Sequence, residues 1–438
     1  MYCITERLES KKGMRAKKID VMKILYVLLV YLEVATARQK IYQVSYFSKY
    51  YIGILICIIT FFLYAKKNRN KIPLKKKQLH IAMYLFWPMV AAFIYSMVLN
   101  LINPVPYSGY LSRSFGLVMY CLLAIIQAYC VYSLYGKKAI DYTFVAIACS
   151  YFTSIIVAFS EGGLTQFIKM FTDTSFNGSV LEMHEVAPIA AMFLFYFWYD
   201  FRIQNRPKNI TIRRILICCI IILLSMKRIV FVSCFFTIIL FEIILIFGGK
   251  KNKESKKHTK LMKAASIVFI FVMLLFVYMI RSGLLFAALS IFNIDTMART
   301  DLWIGIKNQY TFSFFFLGRG LGFVSKWLDN NWMNLGIIGL VESTGLHSDI
   351  LKYYIELGFV GFIAFFYYYL VVVTKKISRE IGASASILYY LLIVFQFLIW
   401  FTDNVSLYHN YQWIMYLMFF TLLQKDNSVL LNGLDRGE

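Results

Sequence analysis

Residues 229–248 read IVFVSCFFTIILFEIILIFG, an unbroken apolar run whose one charged side chain is Glu242. A helix rises about 1.5 Å per residue, so a run of this length matches the roughly 30 Å of hydrocarbon in a bilayer. The apolar residues are continuous and do not alternate, which selects a helix over a barrel strand. Runs of the same kind recur along the chain. The pattern predicts twelve spans near 20–37, 47–65, 79–100, 114–135, 139–159, 186–201, 213–226, 229–248, 265–281, 355–374, 385–401 and 409–424. The first is unusual in carrying Glu33, and the seventh and eighth form a tight pair.

The whole composition agrees with that reading. The 438 residues are 60% hydrophobic, 18% aromatic and only 16% charged. Soluble domains average roughly 45–50% apolar and about 25% charged residues. Too little polar surface remains to coat a water-soluble particle, so a soluble domain is excluded. The expected fold class is all-α, a polytopic transmembrane helix bundle of about 12 spans.

The formal net charge of +23 would suggest nucleic acid in a soluble protein. Here the cations sit between spans. With the N-terminus inside, segments 1–19, 66–78, 136–138, 201–214, 249–263, 375–384 and 425–438 hold most of the 46 Lys and Arg. Asp and Glu show no such bias, which is the positive-inside pattern. It predicts both termini in the cytoplasm and lysine-rich loops facing anionic headgroups, with no nucleic-acid partner. The organisation read from this is a cytoplasmic segment 1–19, nine spans over 20–281, a large extracytoplasmic loop 282–354, three spans over 355–424 and a cytoplasmic tail 425–438. No cleavable signal is expected at the N-terminus. Of the eight cysteines, seven lie in apolar spans, and no CxxC or Cys/His spacing argues for a metal or disulfide framework.

A loop as long and apolar as 282–354 is not expected to be structureless; short helices on the membrane surface are predicted. A smaller outer loop runs from Ser160 to about Glu185.

Charges near membrane depth are costly and are the first candidates for function. Lys227 and Arg228 stand in LLSMKRIVFVS between the paired spans, at the outer edge, where basic residues are otherwise depleted. They serve equally as snorkelling cations that hold a turn. Arg299 leads MARTDLWIGIKNQY, where Thr300 and Asp301 start a helix and Leu302, Trp303 and Ile306 form an apolar stripe. An interfacial anchor to headgroups fits Arg299 as well. His347 precedes Ser348 and Asp349, both helix-capping types, with Gly358 as the stop of a helix of about ten residues. The positive end of that helix disfavours imidazolium, so a neutral His347 could accept a proton. A lone histidine is more often structural. The stretch FLGRGLGF, with Gly318, Gly320 and Gly322, lacks the Lys-Ser/Thr of a nucleotide loop and reads as a flexible turn from which Arg319 could reach an anion. In NGSVLEMHEVAP, Glu182, His184 and Glu185 gather at weak metal-ligand spacing; contact with sugar hydroxyls fits as well.

In order, SMKRIVFV, RTDLW, LGRGLGF and HSDILKYYIELGFVG resemble the polysaccharide polymerase and O-antigen ligase superfamily over roughly 210–375. LEMHEVAP is similar to a segment of capsule-type members. The resemblance implies a bacterial inner-membrane glycosyltransferase with GT-C-type architecture, acting at the extracytoplasmic face on undecaprenyl-pyrophosphate-linked oligosaccharides as donor and acceptor. It also implies Arg228 and Arg299 as pyrophosphate-binding residues and His347 as the catalytic base, without cofactor or metal. Lys227, Arg319, Glu182, His184, Glu185 and Asp349 are possible substrate contacts. A chain-length regulator and a flippase are the implied partners. The chain departs from the pattern in having His-Ser-Asp where many members have His-Asn. A repeat-unit polymerase is the expected function; a ligase of the same superfamily and a lipid-linked oligosaccharide flippase or transporter are the alternatives. The transporter reading is disfavoured because span midplanes look nearly free of charge.

Overall fold

The computed structural model describes residues 21–35, 48–68, 76–172, 185–203, 208–225, 227–248, 255–291, 299–335 and 345–422. Among these residues the regular structure is entirely helical. The first nine helices are α1 (Val21–Ala35), α2 (Ser48–Lys67), α3 (Lys76–Ile102), α4 (Tyr110–Tyr135), α5 (Lys138–Thr172), α6 (Val186–Ile203), α7 (Lys208–Leu224), α8 (Arg228–Gly248) and α9 (Ser255–Ser282). Three short helices follow: α10 (Leu284–Ile291), α11 (Arg299–Ile306) and α12 (Phe323–Asn331). The chain then forms α13 (Asp349–Tyr367), a π-helical stretch Tyr368–Val373, α14 (Thr374–Glu380), α15 (Ala383–Ile399) and α16 (His409–Leu422). A polytopic helical membrane protein is thus what the apolar runs produce, with short helices in the long loop as expected.

Eight of these helical segments are long and apolar enough to cross a membrane, Asp349–Glu380 counting as one. The helices at the other four expected spans, α1, α7, α15 and α16, have 15, 17, 17 and 14 residues. A full crossing takes roughly 17–25 residues. The smaller loop also differs from expectation. Helix α5 bends at Gly163 (φ 63, ψ −179) and continues to Thr172, so much of 160–172 is helical.

Helices α6, α13, α15 and α16 form the buried centre, while α8 and α9 present Phe235 and Phe271 outward. Outward apolar faces are what a hydrocarbon solvent selects. Polar side chains inside the bundle are satisfied locally. Ser96, Ser225 and Ser266 each donate to the carbonyl four residues back at 2.6 Å. Pro88 within α3 cannot donate to Tyr84 O; Tyr368 Oη donates there at 3.0 Å, and Tyr369 Oη donates to Leu85 O at 2.7 Å. The π-helical stretch presents both hydroxyls to the proline's turn.

One buried polar group was not expected. Lys49 pairs with Glu185 at 2.7 Å, and Asn410 Nδ2 donates to Glu185 at 3.1 Å. Beside them Gln127 Nε2 donates to both oxygens of Glu33 at 3.0 and 2.9 Å, and its Oε1 accepts from His409 Nε2 at 2.9 Å. A side chain at Gly53 would run into Gln127, Glu33 and His409. The bundle interior is therefore not free of charge. Opposite charges and amides brought together from four helices and the turn ahead of α6 offset the cost that each would carry alone.

The Gly-rich stretch is a packed crossing, not a flexible turn. Gly358 (φ 74, ψ −178) breaks α13, and in place of the helical bond to Ile355 O, Phe359 N donates to Phe316 O at 2.9 Å. Ile355 O and Glu356 O instead accept from Arg319 N at 2.9 Å and Gly320 N at 2.8 Å. A Cβ on Gly358 would lie 2.2 Å from Leu317 C. The helix thus pauses at the expected glycine and resumes at once. Gly358→Ala should cost clearly more than the roughly 1–2 kcal/mol of left-handed backbone strain, because the clash is with main chain. Gly283 has φ 86 with nothing near its would-be Cβ, so Gly283→Ala should cost no more than that strain. Melting of both variants in detergent measures the difference; equal losses would show that the crossing is not fixed.

Candidate active site

The site is built around the start of α13. Ser348 caps the helix, its Oγ accepting from Leu351 N at 3.2 Å. The first-turn amides, which have no partner within their own helix, donate to the loop between α15 and α16: Asp349 N to Asp403 O at 3.2 Å and Ile350 N to Trp400 O at 3.1 Å. Asp349 is fully buried and holds the same loop from the other side, accepting from Ser406 N and Ser406 Oγ, both at 2.7 Å. Lys352 Nζ lies 3.9 Å from Asp349. Asp349 therefore braces the loop, which accounts for a Ser-Asp pair after the histidine.

His347, at the mouth of the helix, is the only non-glycine residue at positive φ (53°) among the described residues. Holding a histidine there costs backbone strain, which accumulates where surroundings over-determine a functional position. The surroundings are visible. Trp303 of α11 donates its indole N–H to Leu346 O at 2.9 Å. On the other side Gly345 packs so closely on Asn404 that a Cβ would meet Nδ2 at 2.1 Å.

Lys227, directly ahead of α8, is buried and forms an ion pair with Asp403. Its ammonium also lies 5.5 Å from the Tyr408 ring centre. Asp403 accepts further from Asn404 N at 2.8 Å and Tyr408 Oη at 3.1 Å. Burial alone would push the Asp403 carboxyl up. The Lys227 charge and hydrogen bond, the Asn404 amide and the nearby His347 outweigh it and hold the group below its ordinary value. His347 thus sits within electrostatic reach of an ionised carboxylate that is itself fixed by Lys227.

Three parts of the chain distant in sequence converge here: the α7–α8 junction, the lead of α13 and the α15–α16 loop. Helix α11 is tied to them through Trp303. Its stripe is as expected, with Leu302, Trp303 and Ile306 buried. Arg228 is exposed on the first turn of α8, beside the buried Lys227, and Arg299 is half-buried on the first turn of α11. Arg319 is held inward, its Nε donating to Gln309 O at 3.0 Å and its guanidinium 5.9 Å from the Phe323 ring. Glu185 lies in the buried pair with Lys49. Glu182 and His184 lie outside the described residues. Among the described residues no group of three or more His, Cys, Asp or Glu could hold a metal ion.

Asp403 was missed in the sequence. Its signal was an acidic residue in the short FTDNVS loop between the last two spans, where a carboxylate needs a partner. Trp303 was assigned only to an apolar stripe, although its indole N–H is what fastens α11 to the histidine segment.

A comparison with curated proteins finds no match. Residues 215–366, which carry Lys227, Arg228, Arg299, Arg319, His347 and Asp349, match the family model described as O-antigen ligase, so this part of the chain is similar to that family.

Proposed function

We propose that the chain is a repeat-unit polymerase for a surface polysaccharide, working at the extracytoplasmic face of the bacterial inner membrane. It would move a growing glycan from one undecaprenyl pyrophosphate to the nonreducing end of another lipid-linked unit. The observation that carries this reading is the joined constellation of Lys227, Asp403 and the His347 segment, to which α11 is tied through Trp303.

In the proposed step the acceptor hydroxyl oxygen attacks the anomeric carbon of the donor sugar. The bond from that carbon to the pyrophosphate oxygen breaks, and the electron pair leaves with the lipid pyrophosphate. His347 takes the hydroxyl proton. A sugar hydroxyl has a very high pKa, so a neutral imidazole beside it assists as general base. Asp403 would hold the ring's tautomer and offset the imidazolium that forms. Arg228 and Arg299 would hold the pyrophosphate, since guanidinium forks match phosphate oxygens and stay charged. One displacement inverts the anomeric centre. The leaving group is already a good one, so the step calls for neither nucleotide nor metal. The buried charges at Glu33, Lys49 and Glu185 do not favour the transporter reading, because they are engaged with one another and with amides.

The test is incubation of purified protein with a lipid-linked repeat unit and gel analysis of the product. A ladder of lengths is expected. Transfer only to a different lipid acceptor would mean a ligase, and movement of lipid-linked glycan without any product would mean a transporter. Arg228→Ala and Arg299→Ala should each lower transfer about 10²-fold, the scale for losing one preorganised charge-stabilising donor. The Lys variants should recover only part of it, because the ammonium keeps the charge and loses the fork. Full activity in both alanine variants would remove the arginines from the site.

A further inference from the structure

A cavity of ≈ 60 Å³ lies beneath the Asp403–Ser406 loop, lined among others by Lys352, Tyr353, Gln396, Trp400, His409 and Tyr416. Three of its lining side chains are more than nine-tenths buried and carry a polar atom with no protein hydrogen-bond partner: Gln396 Oε1, Trp400 Nε1 and His409 Nδ1. Buried polar atoms are nearly always hydrogen-bonded, so three orphans around one cavity need a common partner.

Their chemistry selects that partner. Trp400 Nε1 can only donate and Gln396 Oε1 can only accept. His409 is fixed by its neighbours. Gln127 turns its NH₂ to the Glu33 carboxylate, which leaves Oε1 facing His409 Nε2 at 2.9 Å. His409 Nε2 must therefore donate, and the neutral ring's Nδ1 accepts. A cation would be repelled by the indole N–H, and an anion would meet two lone pairs. A group that both donates and accepts satisfies all three. At about 10–15 Å³ for each water-sized sphere, the space suits a few waters and is too small for a sugar ring.

We propose that this cavity is a hydration site, occupied by a small cluster of ordered waters bonded to Gln396, Trp400 and His409. Its position gives it a role. Trp400 closes α15 and His409 opens α16, so the waters bridge both roots of the loop that carries Asp403 and Ser406. The cluster ties that loop to the Glu33–Gln127–His409 group below it. This inference does not depend on the polymerase reading.

Hydroxyl-radical footprinting by X-ray pulse on the full-length protein in detergent tests it, because radicals form at bound waters inside a fold. Tyr353 and Tyr416 should be labelled severalfold faster than Tyr389 and Tyr390, a ratio beyond their slight difference in exposure (4% and 5% against 0%), because only the first two line the cavity. Equal, slow labelling of all four would overturn the proposal and point to a dry or acyl-filled space. In Gln396→Leu, checked for folding by gel filtration, labelling of Trp400 should fall severalfold, and Gln396→Glu should restore it. Unchanged labelling of Trp400 in folded Gln396→Leu would count against the assigned cluster. If that variant does not fold, the wild-type comparison of the four tyrosines decides.

Discussion

His347→Ala is expected to abolish the ladder of transferred glycan while the protein still inserts and remains monodisperse. Losing a positioned general base costs about 10²–10⁴-fold. The upper end applies here, since the acceptor hydroxyl has no other identified base. The structural cost should be small or negative. His347 holds φ 53, which a β-carbon residue tolerates poorly, and the capping of α13 rests on Ser348 and on the 400–406 loop instead. His347→Gly relieves that strain while losing the imidazole's interaction with Asp403, so it should melt near wild type and be as inactive as His347→Ala. His347→Gln, which keeps a hydrogen-bonding group but cannot take up a proton at neutral pH, should also be inactive. Melting temperature and ladder intensity measured on the same preparations separate the two effects. Activity within a fewfold of wild type in either His347→Gly or His347→Gln would remove the histidine from proton transfer.

Much of this architecture could be read before any coordinates. Apolar runs located the helices because hydrocarbon length is a local constraint. The stripe Leu302, Trp303, Ile306 and the cap Ser348 followed from helical spacing and capping chemistry, which are also local. What escaped was whatever depends on contacts between distant segments. Lys227 and Asp403 are far apart in sequence, and neither residue announces the other. Glu33 and Glu185 stood out in separate segments, and nothing local marks Lys49 or His409 as their partners, so the convergence inside the bundle was invisible. The glycines of FLGRGLGF looked like freedom. Their use is the close main-chain approach to Gly358, which only a second helix could reveal. The same limit applies to α5, whose continuation past Gly163 ran against a turn-like Gly-Gly pair.

Asp403→Ala should be both strongly destabilising and inactive, and a second substitution at Lys227 should separate these effects. Removing the carboxylate strands a buried ammonium, since Lys227 is only 9% exposed. Breaking a buried pair from one side costs about 3–5 kcal/mol, whereas replacing both partners by apolar groups of similar size is often neutral or stabilising. Lys227→Met/Asp403→Leu should therefore regain most of the lost stability. It should not regain transfer, because His347 would still lack the carboxylate that orients it. The pH dependence has a definite sign. A carboxyl held below its ordinary value of 3.8 contributes stability that is fully present above that value and is lost as pH falls through the depressed one. Wild type should keep this contribution from neutral pH down to about 4 and shed it only in stronger acid. The double variant should show no such acid step. Melts across pH, with ladder assays at neutral pH, measure both outcomes. A double variant as unstable as Asp403→Ala would mean that the loss comes from the carboxylate's bonds to Asn404 N and Tyr408 Oη and not from a stranded ammonium. A double variant with full transfer would show that the carboxylate, though close to the histidine, has no part in what the histidine does.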